Sequence, residues 1–236
     1  MIIFDIGKIN NFMFQDSANS LTQNVINFHN FIMMLCVFIL FGVLYFLLSS
    51  INLKVDYNRK FQDLANLEFW WTIFPVIILF IIAVPSLSLL YKLDEILDPF
   101  LNIKVIGNQW YWTYEYDDYK EKIEINSYMV SLIDLNKGDF RLREVDNRIA
   151  IPINSLVKVV TTSNDVIHCW TMPSLGIKID STPGRLNQIG FISNRSGLMV
   201  GGCSEICGSE HAYMPIIIEI ISLNLFNNWI STLINS

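Results

Sequence analysis

Between positions 203 and 214 the chain places two cysteines, a histidine and a methionine at intervals of four, four and three: Cys203, Cys207, His211 and Met214. A second histidine, His168, stands about one strand pair earlier. Two thiolates, imidazole and a thioether form a soft ligand set suited to copper. A loop between two strands can gather the four late residues around one point, with His168 reaching in from the side. Two cysteines and two histidines are what a pair of coppers bridged by two thiolates needs. Three other chemistries use parts of the same set. A structural zinc site of two cysteines and two histidines leaves Met214 without a role. A mononuclear electron-transfer copper leaves one cysteine idle. A Cys203–Cys207 disulfide closes only a very small loop, and is expected of the metal-free protein. The remaining cysteines are Cys36, inside an apolar block, and Cys169, which follows His168 on a strand and so points to the opposite face as a buried apolar thiol.

The elements that carry these residues fall into two classes. Of the 236 residues, 52% are hydrophobic and only 16% charged, and the mean hydropathy is +0.40, which disfavours a wholly soluble protein and excludes a disordered one. The apolar residues concentrate in two uncharged blocks, giving helices predicted at about 29–51 and 69–91. Each is long enough for the bilayer core, which takes about 20 residues. Trp70, Trp71 and Tyr91 stand as interfacial anchors of the second, and Pro75 and Pro85 lie inside it. His29, at the start of the first, reads as an interfacial histidine. Lys54, Arg59 and Lys60 crowd the connecting segment while the N-terminal tail has Lys8 alone, which places the loop inside and both termini outside. The first 30 residues lack the pattern of a cleavable signal peptide.

The expected division is therefore 1–91, a tail and transmembrane hairpin, and 92–236, one extramembrane domain. That domain carries −5 of the formal net charge of −6, which argues against nucleic acid and for a basic partner. It reads as mostly β, with strands predicted at 103–106, 110–116, 123–125, 148–151, 156–162, 166–170, 187–192, 197–201 and 215–220. Turn signals separate them, so a Greek-key sandwich or barrel is expected, closed by an amphipathic helix over 224–233.

Motifs spread over nearly the whole chain are similar to those of the cytochrome c oxidase subunit II family. They are Phe14-Gln15-Asp16, Glu68 with the run Trp71 to Pro75, Gly107-Asn108-Gln109-Trp110-Tyr111-Trp112, Glu144 to Arg148, Asp165 to Trp170, Pro173 to Gly176, Pro183 to Gln188, and the cysteine loop. The resemblance implies two transmembrane α-helices followed by a mainly-β cupredoxin-like Greek-key barrel carrying a binuclear copper (CuA) centre. Cys203 and Cys207 would bridge the coppers, His168 and His211 would each bind one, and Met214 and the Glu205 carbonyl would be weak axial ligands. It further implies a Mg2+ ion shared with subunit I through the Glu205 carboxylate, electron input from cytochrome c at Trp110, proton uptake at Glu68, and delivery of electrons to haem a of subunit I, where oxygen is reduced.

Glu115, Asp117, Asp118, Asp146 and Asp165 are the expected docking acids for cytochrome c. The residue types alone also allow barrel packing for Trp110, a helix-dipole role for Glu68 and a solvated face for the acids. The expected location is the mitochondrial inner membrane with both termini in the intermembrane space, a bacterial plasma membrane being the alternative. A quinol-oxidase subunit of the same fold would lack the copper ligands, and a membrane-anchored copper carrier would not need Trp110 or Glu68. Two positions depart from the family pattern, Asn108 where histidine is common and Gly202 where glutamine is common, and both bear on hydrogen bonding around the ligands.

Overall fold

The structure, a computed structural model, describes residues 4–5, 12–52, 64–94, 98–119 and 122–235. Helices α1 (Ser20–Asn52) and α2 (Ala65–Asp94) form where long apolar runs contain no charge to interrupt them. Both are longer than predicted, and the 33 residues of α1 rise about 50 Å, against about 30 Å of hydrocarbon. The extra turns are polar ones at the ends. Asn19 caps α1, its Oδ1 accepting from the Leu21 N–H at 2.9 Å. Helix α2 continues through Pro75 and Pro85, which free the carbonyls one turn before them. Phe38, Phe46, Phe80 and Val84 are exposed along the two helices, and neither apolar stretch is buried within the protein. Apolar surface of this length needs lipid or partner helices around it. The expected inside loop cations Lys54, Arg59 and Lys60, and Lys8 of the tail, lie outside the described residues.

The β unit holds strands β1 (Phe4–Asp5), β2 (Leu101–Asn108), β3 (Tyr111–Tyr116), β4 (Ile123–Ser127), β5 (Ile149–Pro152), β6 (Leu156–Ser163), β7 (His168–Met172), β8 (Ile177–Ser181), β9 (Asn187–Ile192), β10 (Gly197–Cys203) and β11 (Pro215–Ile221), then helix α3 (Leu223–Ile234). One sheet runs β5-β11-β10-β7-β8, with β1 also paired to β10; the other runs β4-β3-β2-β6-β9. Inward positions recur with period two: Leu101, Ile103 and Val105; Trp112, Tyr114 and Tyr116; Trp170 and Met172; Ile216, Ile218 and Ile220. These residues form the core between the sheets, and α3 closes it with Phe226 and Ile230. Strand β8 was not among the predicted strands; it pairs with β7 from His168↔Ser181 to Met172↔Ile177 and fixes the strand that carries His168.

The chain divides into a unit of Met1–Gln23 with Leu93–Ser236 and a unit of Asn24–Lys92. The division near the end of α2 lies within one residue of the expected 91, while the tail, expected with the hairpin, groups with the β unit. The Ala18 N–H donates to the Ser174 carbonyl at 2.8 Å, and the Ala18 carbonyl accepts from the Asn194 N–H at 2.8 Å.

Within the second sheet Glu115 is buried and receives Lys104 Nζ and Lys122 Nζ, each at 2.8 Å. Burial alone would push its carboxyl up, but the two lysines outweigh it and hold the group below its ordinary value. A depressed carboxyl contributes stability that is complete above the unfolded value and is lost as pH falls through the folded one. Glu115→Gln is therefore expected to cost about 1–2 kcal/mol at neutral pH, and the difference from wild type should shrink at a pH below the ordinary carboxylate range. Thermal unfolding of the detergent-solubilised chain, followed by tryptophan fluorescence at both pH values, measures it.

Candidate metal centre

Two strand ends set the site. Strand β7 begins at His168 and β10 ends at Cys203, and the strands pair at Gly202↔Thr171 and Cys203↔Trp170. The Ser204 N–H donates to the Cys169 carbonyl at 3.0 Å, carrying the register one residue beyond β10. From there the chain turns through Gly208, whose φ of +129° suits glycine, and a 3-10 turn at His211–Tyr213 before entering β11. The loop thereby folds back over its own start. Cys203 Sγ and Cys207 Sγ lie 3.9 Å apart. His168 Nδ1 is 4.0 Å from Cys203 Sγ, and His211 Nδ1 is 3.5 Å from Cys207 Sγ. Met214 Sδ is 3.6 Å from Cys207 Sγ, and the Glu205 carbonyl is 3.2 Å from Cys203 Sγ. Both cysteines are free thiols, so the disulfide considered from sequence is not formed.

The surroundings hold these donors in place. Asp165 Oδ1 meets His168 Nε2 at 2.8 Å, leaving Nδ1 aimed at sulfur, while Oδ2 accepts from the Gln109 N–H at 2.6 Å. Gln109 Nε2 in turn donates to the Cys207 carbonyl at 2.7 Å. Trp112 Nε1 donates to the Met214 carbonyl at 3.2 Å, and the Trp112 ring stands edge-on to His168 with centroids 5.8 Å apart. His168 and Met214 are buried. Burial opposes ionisation of Cys203, yet its hydrogen bond with His168 and backbone hydrogen bonds at Cys169 and Glu205 prevail and bring the thiol down to about 7. Burial and the charge of Cys203 push Cys207 up to about 12. His168, Cys203 and Cys207 bring their donor atoms within 4.8 Å of one another, with the His211 nitrogen, the Met214 thioether and the Glu205 carbonyl each against one of the two sulfurs, and such a soft donor set suits copper.

Trp110 occupies the two-residue turn between β2 and β3, half buried. A Cβ on Gly208 would lie 3.1 Å from its ring atoms Cζ2 and Nε1, so the indole rests against the cysteine loop. The Glu205 side chain is exposed beside the site. Glu68 sits in the first turn of α2, exposed, far in sequence from the metal donors. His29 is an exposed residue of α1.

The expected docking acids separate into two kinds. Asp117, Asp118 and Asp146 are exposed. Asp118 accepts from Asn102 N and Nδ2 at 2.6 and 2.9 Å, and Asp146 from Tyr128 N and Asn147 N at 2.8 and 2.7 Å. Glu115 is buried and paired with two lysines, whereas Asp165 is exposed and also engaged by His168 and the Gln109 N–H. Gln109 is named from sequence only within the Gly107–Trp112 motif, without a role, and that motif was the available signal. Asn108 turns to local partners, accepting from Asn164 Nδ2 at 2.8 Å and donating to Thr113 Oγ1 at 3.1 Å. Cys169 is buried, and burial pushes its thiol up to about 11.

A pair of long apolar helices joined to a two-sheet β unit with soft donors at its strand ends defines a membrane-anchored, cupredoxin-like protein able to hold copper. Two family models match: "Cytochrome C oxidase subunit II, transmembrane domain" over residues 7–89 and "Cytochrome C oxidase subunit II, periplasmic domain" over 101–221. The chain is 50% identical over 217 residues to cytochrome c oxidase subunit 2 of Metridium senile, covering 92% of this chain and 87% of that protein. It is 51% identical over 220 residues to the subunit of Sitophilus granarius, covering 93% and 96%. The solved periplasmic domain of subunit II (CoxB) of Bradyrhizobium japonicum matches with a TM-score of 0.55 at 39% identity, covering 60% of this chain and 98% of that one. The chain belongs to the cytochrome c oxidase subunit II family. It is accordingly an electron-transferring membrane subunit of an oxidase complex, assembled with other oxidase subunits.

Proposed function

We propose that the chain accepts electrons from cytochrome c at a binuclear copper centre, CuA, and passes them to haem a of subunit I for oxygen reduction coupled to proton pumping. The observation that carries this is the pairing of each thiol with its own imidazole nitrogen across a 3.9 Å sulfur–sulfur separation. Cys203 and Cys207 would bridge two coppers, His168 and His211 would bind one each, and Met214 Sδ and the Glu205 carbonyl would be the weak donors. When bound, the group supplies a one-electron carrier whose charge is shared by two metals, so little geometry changes on transfer. Asp165 keeps His168 in one tautomer, Gln109 and Trp112 hold the loop carbonyls, and the buried walls exclude water.

Trp110, resting on the loop at Gly208, is the electron-input residue. Trp110→Phe should slow reduction by cytochrome c about tenfold or more while copper content stays unchanged; stopped-flow reduction alongside metal analysis separates these. The exposed carboxylates of Asp117, Asp118 and Asp146 steer the basic haem protein, a salt-dependent effect. The Glu205 carboxylate, exposed beside the site, suits a Mg2+ shared with subunit I, a hard cation with oxygen ligands. Glu68 at the start of α2 is the proton-uptake residue, so Glu68→Gln should lower steady-state turnover about tenfold and leave reduction of copper by cytochrome c at the wild-type rate. The setting is the mitochondrial inner membrane, with both termini in the intermembrane space.

Copper stoichiometry with electron paramagnetic resonance tests the reading. Because Ala18 packs in the β unit, the sample should be the full chain. Two coppers sharing one unpaired electron are expected; one copper with a localised electron, or zinc alone, would overturn it.

A further inference from the structure

The two membrane helices leave a cavity of about 380 Å³ at the end of the hairpin nearer the chain's termini, within the size range of ligand clefts. Helix α1 lines it with Asn24, Asn27, Phe28 and Phe31, and α2 with Pro85, Ser88, Leu89 and Lys92. Both sets follow i, i+3, i+4, i+7 spacing, so each is one face of its helix, and the two antiparallel faces meet in register of polarity. At the outer lip stand the cation Lys92 and the amides Asn24 and Asn27, joined by the Ser88 hydroxyl. About two turns, or roughly 10 Å, deeper the walls are Phe31 and Pro85, with the Phe28 ring and Leu89 between. Lys92 makes no ion pair among the described residues, and Asp94, two positions on, falls on a different face of the helix.

A surface that passes from cationic and amide-rich to aromatic and aliphatic over this depth matches one kind of molecule. It has an anionic head, hydrogen-bond acceptors beneath it and hydrocarbon below. We propose that this cleft is a binding site for an anionic phospholipid, with the phosphodiester at Lys92, the glycerol ester region at Asn24, Asn27 and Ser88, and the upper acyl chain along Phe28, Leu89 and Phe31. A basic residue at the membrane surface favours anionic over zwitterionic lipid by about fivefold. The bound lipid would fill a space that neither helix closes alone.

Native mass spectrometry of the full chain in detergent, titrated with phosphatidylglycerol or phosphatidylcholine, tests this. Phosphatidylglycerol should be retained about fivefold more strongly, and Lys92→Gln should abolish that preference while Lys92→Arg keeps it. Phe31→Ala should weaken both lipids together. Equal retention of the two lipids by the wild-type chain, or an unchanged preference in Lys92→Gln, would overturn the proposal. Displacement of phosphatidylglycerol by inorganic phosphate alone would also overturn it, by assigning the cleft to a free anion. Circular dichroism of each variant shows whether the helices are retained.

Discussion

Serine in place of Cys207 is expected to eliminate the shared-electron signal of the copper centre and to leave at most one copper per chain. The same is expected of Cys203→Ser. Each sulfur lies within 4.0 Å of an imidazole nitrogen and 3.9 Å of the other sulfur, so neither can be lost without leaving one side of the pair without a bridging thiolate. A hydroxyl is a poor substitute, because it remains protonated near neutral pH and is hard where the set is soft. The fold should survive, since Cys207 is a small part of a core built from two sheets. Loss of the signal with an unchanged far-ultraviolet circular dichroism spectrum is the expected result. An intact mixed-valence spectrum in either variant would sink the binuclear assignment.

A single methyl group added to β2 should disturb the same centre without replacing a ligand. At Gly107 a Cβ would stand 2.7 Å from His168 Cδ2 and 2.9 Å from Cγ, closer than side-chain carbons approach. The imidazole has no room to retreat: it is buried, tied at Nε2 to Asp165 and edge-on to Trp112. Gly107→Ala should therefore displace His168, lower copper affinity by about tenfold or more and cost about 1–3 kcal/mol of stability by overpacking. Gly202→Ala is the matched control, because its Cβ would meet only the end of the flexible Arg143 side chain, at 3.1 Å. Copper titration and denaturant unfolding on both variants make the comparison, and equal behaviour would remove the steric argument.

What could be read in the sequence was what is local. The donors from Cys203 to Met214 lie within one loop, and their spacing announces a soft metal before any fold is known. The long uncharged runs announce the helices in the same way, and period-two alternation gives most strands. Contacts between distant positions were not legible. Gln109 reaches the Cys207 carbonyl across 98 positions, and no local pattern distinguishes that amide from a surface one. Asp165 is exposed as expected of a surface acid, but that it also meets His168 Nε2 depends on how the chain turns into β7, which its sequence does not spell out. Strand β8 carries that alternation too, Ile177 and Ile179 against Lys178 and Asp180, but with only two apolar residues between turns it is too short to stand out. The docking of the tail was hidden as well. Ala18 is buried, but a single small apolar residue among polar neighbours makes no periodic pattern.

That tail has a consequence for how the protein is threaded. Residues before α1 and residues after α2 complete one folded body, so the hairpin is an insertion within a discontinuous domain. A body of this kind forms only when the segments on either side of the insertion meet in the same aqueous compartment. An odd number of crossings would strand Ala18 away from Ser174 and Asn194, its backbone partners. Tertiary structure thus requires the two segments to share one side, and the domain cannot close until the second crossing has been made.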